Sequence, residues 1–142
     1  MRRLTILFTV LALALPPAGA VAAIERAEAA ERASPRVVKV IKVVGPGVEA
    51  DRWGTVKVTV LIRRIKQNGK LVSQRITKVV AKYPETNPRT YQINSEAIPI
   101  LISNTLVAQS GEIDVLSAAT DTSEAFEKSL AAALRRVAFV KR

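Results

Sequence analysis

This chain of 142 residues contains neither cysteine nor histidine. The first absence excludes disulfides and thiol catalysis; the second removes imidazole metal sites and any Ser-His-Asp triad. Aromatic residues are scarce: one tryptophan, two tyrosines and three phenylalanines. Platforms for stacking single-stranded bases are therefore not expected, and no nucleic-acid partner is inferred. Acidic residues number 12 against 22 lysines and arginines, for a formal charge of +10. That balance attracts anionic partners without saying which. The length suits one domain and is short for two.

The N-terminus has its own pattern. Met1-Arg2-Arg3 is a positive start, residues 4–15 are apolar and uncharged, and Pro16-Pro17 break the run. Small residues follow at Ala18-Gly19-Ala20 and Ala20-Val21-Ala22, which predicts a signal peptide over residues 1–22. Residues 4–24 are also an uncharged run of 21, long enough to span a bilayer, so an N-terminal anchor competes with cleavage. Either reading predicts an exported protein, periplasmic or otherwise extracytoplasmic, and membrane-anchored in the second case. With no cysteine after the apolar run, a lipoprotein anchor is excluded. Cleavage would remove Arg2 and Arg3 and lower the charge from +10 to +8. Residues 23–35 read as a polar linker ending at Pro35, and residues 36–142 as the domain.

Within the domain the period is first that of strands. Residues 37–44 are dense in valine and predict a strand, closed by a Gly45-Pro46-Gly47 turn. Val56, Val58, Val60 and Ile62 alternate with more polar residues, the mark of a strand with one buried face. Asn68-Gly69 is a hairpin signal, and residues 71–81 form the returning strand. Lys57, Arg63, Arg64, Lys66, Arg75 and Lys78 read as a solvated sheet face. After a loop at residues 83–88, residues 93–98 predict a helical turn capped by Asn94 or Ser95. Pro99 would then open a second helix running to about Gln109, with a kink between the two.

Residues 113–116 predict one brief strand, and Ser117-Ala118-Ala119-Thr120-Asp121 a small polar connection. A helix over 122–136 follows, its stripe formed by Phe126, Leu130, Ala133, Leu134 and Val137. Asp121 as N-cap with Glu124 would make a capping box. Small hydroxylated residues thus stand at a helix N-terminus, where free N–H groups and the macrodipole attract an anion. A well-capped helix with no ligand is the plainer reading. The fold class expected is α+β: an antiparallel sheet with a long hairpin, packed against two or three helices.

In order along the chain, these segments resemble the FMN-binding domain family, whose relatives include flavin-carrying subunits of the bacterial sodium-translocating NADH:quinone reductase. The resemblance rests on Trp53-Gly54-Thr55-Val56-Lys57-Val58, Asn68-Gly69-Lys70, Tyr83-Pro84 and the run from Gln92 to Leu101. Thr105-Leu106, Ala108-Gln109-Ser110 and the run from Asp114 to Phe126 complete it. It covers about residues 53–137. The family signature is an aspartate, two variable residues, Ser or Thr, Gly, Ala and Thr.

The resemblance implies FMN held by a phosphoester to Thr120, installed by a separate flavin transferase. Asp114 and Ser117 would flank the attachment, Ala118 and Ala119 line it, and Thr122 and Ser123 add hydroxyl donors. Asn94 would be either a ligand or a plain helix cap, and Trp53 a core anchor or a flavin stacker. Asp114 could equally be a strand-end carboxylate. Ala118 departs from the family glycine; if that position needs φ > 0, alanine costs roughly 1–2 kcal/mol.

The function implied is electron transfer by an FMN carrier in the cell envelope, with FMN supplying the redox chemistry. The chain has no NAD(P) fingerprint, so electrons would come from a membrane or envelope redox partner. Anionic lipid or wall polymer is a further expected contact. The alternative is a basic envelope-binding module with the same fold and no flavin. A hydrolase is disfavoured, because no histidine can act as base.

Overall fold

Val56, Val58, Val60 and Ile62 are completely buried, as their period-two spacing requires. The computed structural model describes residues 35–85 and 87–141; the expected signal peptide, its anchor alternative and nearly all of the linker lie outside the described residues. The valines belong to β2 (Thr55–Gln67), the centre of a three-stranded antiparallel sheet between β1 (Arg36–Glu49) and β3 (Lys70–Lys82). Asn68 and Gly69 join β2 to β3 with φ of 52° and 75°, the left-handed pair that a two-residue hairpin turn needs.

Two helices follow, α1 (Pro88–Ala108) and α2 (Thr120–Arg135). Both pack on one face of the sheet. Phe126, Leu130, Ala133 and Leu134 of α2 and Ile98 and Leu101 of α1 form one cluster with the β2 valines. The architecture is α+β, two layers around that cluster. Among the described residues no helix is long and apolar enough to cross a membrane.

Five local expectations are corrected. The Gly45-Pro46-Gly47 segment does not end β1 but forms a bulge inside it, between Val44 and Gly47. The cause is the close approach of α2: a Cβ on Gly45 would lie 2.2 Å from the Ser129 carbonyl oxygen. The Ser129 hydroxyl donates to the Pro46 carbonyl at 2.7 Å and accepts from the Val58 N–H at 3.0 Å. One side chain thus satisfies backbone groups at the interrupted ladder.

The pair of helices expected around Pro99 is one continuous helix. Asn87 is its true N-cap, accepting from the Arg89 N–H at 3.0 Å, with Pro88 at the first helical position. Pro99 is exposed inside α1, so the helical bond it cannot donate is lost on the solvent side.

Residues 113–116 form no strand. Ile113 and Leu116 pack against the core instead, and the Leu116 N–H is taken by the Ser123 hydroxyl at 3.1 Å rather than by a neighbouring strand. The last helix starts at Thr120, one residue before the expected Asp121 cap.

Arg64 also departs from the expected solvated face. Half-buried, it donates to the Val137 carbonyl beyond α2, and its guanidinium meets the Gln74 amide oxygen at 2.9 and 3.1 Å once that amide is oriented to accept. At the edge of the sheet, Gln109 caps α1 with φ 53° and closes β3 with its side chain. Its amide accepts from the Ile76 N–H at 2.7 Å and donates to the Ile76 carbonyl at 3.0 Å, as a neighbouring strand would.

Candidate functional site

Gly54 has φ 82° and ψ −166°, a region open to glycine and closed to side chains. A Cβ there would also fall 2.4 Å from Pro84 Cγ. The fold therefore presses Trp53-Gly54 against Tyr83-Pro84, two segments 30 residues apart in sequence. The Tyr83 phenol is raised above its ordinary 10.0, first by desolvation and then by Tyr91 and Glu85, and stays neutral.

Trp53, half-buried in the 3-10 turn Asp51–Trp53, ties this corner to both helices. Its indole N–H donates to Asp121 Oδ2 at 3.2 Å, and its carbonyl accepts from Asn94 Nδ2 at 3.3 Å. Asn94, fully buried in α1, accepts through Oδ1 from the Thr122 hydroxyl at 2.8 Å. Trp53, Asn94, Asp121 and Thr122 thus join β2's entry, α1 and the first turn of α2. The Trp53 ring is anchored through its indole N–H, and the Arg52 guanidinium stands 5.1 Å above it.

The segment that leads into α2 is held by the same corner. Ser117–Ala119 forms a 3-10 turn that runs directly into α2. Ser123 closes it, donating to the Ala119 carbonyl at 2.8 Å while accepting from the Leu116 N–H. Asn94, Thr122 and Ser123 are buried and hydrogen-bonded within the scaffold. They position the segment; the hydroxyls expected as free donors already have partners.

Thr120 differs. It is exposed at the first position of α2, and its hydroxyl makes a long 3.4 Å contact with the Ser117 carbonyl. Ala119, in the N-cap position, provides no side-chain oxygen to the first-turn N–H groups. Ala118 is absent from the residues with positive φ, so the glycine of the family pattern is not needed here for backbone reasons.

Just before Thr120 in the chain, a groove of about 260 Å³ runs between α1 and this turn. Ile93, Glu96, Ala97 and Ile100 form one wall, and Leu116, Ser117, Ala118 and Ala119 the other. The α1 residues were not among the expected site residues, although their i, i+3, i+4, i+7 spacing places them on one helical stripe. Ile100 remains 48% exposed, large for an isoleucine with a core nearby. Asp114 does not join the groove: it lines a separate depression with Asn104, Val107, Ala108, Glu112 and Ile113. Among the described residues no group of acidic side chains could hold a metal ion.

No family model matches the chain, and no curated protein matches it. Among solved structures, a Clostridium perfringens protein is similar over 70% of this chain and 88% of its own, at 22% identity and a TM-score of 0.39.

Proposed function

We propose that this domain carries one FMN, attached through a phosphoester to Thr120, and serves electron transfer in the cell envelope. The observation that carries the reading is the convergence around Thr120. Segments that resemble the FMN-binding family, far apart in sequence, meet at a corner where the exposed Thr120 directly follows Ser117–Ala119, the turn that lines an apolar groove. FMN, when bound, supplies the reversible redox chemistry. The chain's part is to hold and orient it. Ser117 and the first-turn N–H groups of α2 would hold the phosphate, and Ile93, Ala97, Ile100 and Leu116 would offer an apolar wall to the ring system.

The charges nearby favour a covalent link over simple ionic capture. No lysine or arginine lines the groove, while Glu96 does, and Asp121 stands next to Thr120. A phosphate held there by charge alone would meet two carboxylates and gain only the helix terminus, about 0.3–1 kcal/mol at an exposed site. An ester bond removes that dependence. A flavin transferase would make it, and an envelope redox partner would exchange the electrons.

Coexpression with a flavin transferase, followed by intact-mass measurement after denaturation, tests the reading. The wild-type chain should carry the FMN increment and absorb in the visible. Thr120→Val keeps the shape without the oxygen and should lose the adduct while remaining folded; Thr120→Ser should retain some. FMN persisting on the valine variant, or never found on the wild type, discards the assignment. Ala118→Gly should not raise loading, since alanine is unstrained. The alternative, a basic envelope-binding module without flavin, predicts a colourless protein under every one of these conditions.

A further inference from the structure

The sheet face turned away from the helices carries a second message. Along β2 the buried residues Val56, Val58, Val60 and Ile62 point to the core, so Lys57, Thr59, Leu61 and Arg63 point the other way. Cross-strand partners share a face, and the register places Lys82, Lys78 and Arg75 of β3 and Lys42 of β1 beside them. Six cations therefore occupy one face of three strands. Lys57 lies directly opposite Lys82, and Arg63 directly opposite Arg75. Like charges so placed repel and destabilise an antiparallel pair. Among the described residues no acidic side chain bridges them; the ion pair present, Lys128–Glu124, is on α2.

Exposed valines sit among these charges. Val40 faces outward opposite Arg63 and is 59% exposed, and Val80, opposite Thr59, is 42% exposed. Val38 lies two residues further along β1 on the same face. A solvated sheet face has no use for both features together. An anionic bilayer answers both: lipid phosphates neutralise the repelling cations, and the headgroup boundary accepts the valines. A folded acidic protein would neutralise the charge equally well, but it would need a flat carboxylate-rich surface with apolar gaps in register.

The geometry points to this open face as a docking surface for anionic phospholipid, with the domain lying sheet-down on the membrane and the Thr120 corner left accessible. The inference does not depend on flavin. It would hold for the colourless alternative as well.

The lack of cysteine in the chain allows a clean local readout. Val40→Cys in the full chain takes one environment-sensitive dye on the open face, and Val107→Cys, 81% exposed on α1, takes it elsewhere. Phosphatidylglycerol vesicles should blue-shift the dye at position 40 and not at 107, and phosphatidylcholine vesicles should shift neither. The N-terminal apolar run is the same in both proteins, so its own affinity for lipid cannot produce that difference. Raising salt from 0.1 to 1 M, which shortens the Debye length from about 10 to about 3 Å, should weaken the response.

Adding Lys42→Glu and Lys78→Glu should raise the half-saturating lipid concentration at least tenfold, with circular dichroism confirming the fold. Arg63→Gln, which removes one repelling partner, should weaken lipid binding while raising the melting temperature, an opposition of signs that a purely structural role would not give. Equal shifts at 40 and 107, equal response to neutral vesicles, or indifference to the charge reversals would overturn the proposal. So would a dye response at position 40 to polyglutamate with none to vesicles, which would assign the face to an acidic protein instead.

Discussion

Ser129 shows how much one hydroxyl can hold. It stands on the inner side of α2, completely buried, and joins the Pro46 carbonyl to the Val58 N–H across the β1 bulge. Ser129→Ala would leave a buried donor and a part-buried acceptor without their partner, a loss of about 1–3 kcal/mol. For a domain of this size that lowers the melting temperature by at least about 4 °C. A melt indistinguishable from wild type would mean the sheet re-forms its own bonds at the bulge. Gly45 is the steric counterpart. Gly45→Ala would drive a methyl group into the α2 backbone and should destabilise by at least about 1–3 kcal/mol, the range for overpacking.

At the scale of elements, α1 is the helix with an internal contradiction. It has a good N-cap at Asn87 and a left-handed C-cap at Gln109, yet Pro99 interrupts its bonding. Proline inside a helix is about 3 kcal/mol worse than alanine, and on the exposed side solvent recovers part of that by hydrating the free carbonyl. Removing proline also loosens the unfolded chain, by about 0.4–1 kcal/mol. Pro99→Ala should therefore stabilise the domain by about 1–2 kcal/mol net, measured by urea unfolding. The residue lies between Ala97 and Ile100, which line the groove at the turn before Thr120. If the substitution instead destabilises the protein or abolishes FMN loading without unfolding it, the helix geometry imposed by proline is what shapes that wall.

For the whole molecule, the core cluster is drawn from Val43 to Leu134. Its members all belong to the unit of residues 35–142. A fragment of residues 35–142 should melt within about 4 °C of the full chain, which corresponds to less than ~1 kcal/mol. A fragment that fails to fold cooperatively would show that the N-terminal segment contributes to the core. The two faces of the sheet divide the molecule's tasks: the covered face supports the corner at Thr120, and the open face concentrates the positive charge.

Much of this was legible in the sequence, for reasons of local chemistry. The β2 valines could only alternate if one face was buried, Asn68-Gly69 could only turn tightly, and the stripe from Phe126 to Leu134 could only be an inward helical face. Those patterns depend on residues within a few positions of one another, so the α+β class followed from them. What misled were segments whose conformation depends on distant neighbours. Gly45-Pro46-Gly47 carries turn chemistry, but α2 arrives on it and makes it a bulge. Residues 113–116 have strand propensity, but among the described residues no strand pairs with them. Asp121 looks like a capping residue and Thr122 like a hydroxyl donor for an anion, but Trp53 and Asn94 engage their side chains. The groove wall from α1 was likewise invisible, because only tertiary packing decides which turn of one helix faces which loop. Sequence alone determined the long hairpin, the last helix and their buried faces, since propensity and periodicity act over short range. The tertiary structure alone decided the bulge, the caps and the surroundings of Thr120, since each is fixed by a contact between residues dozens of positions apart.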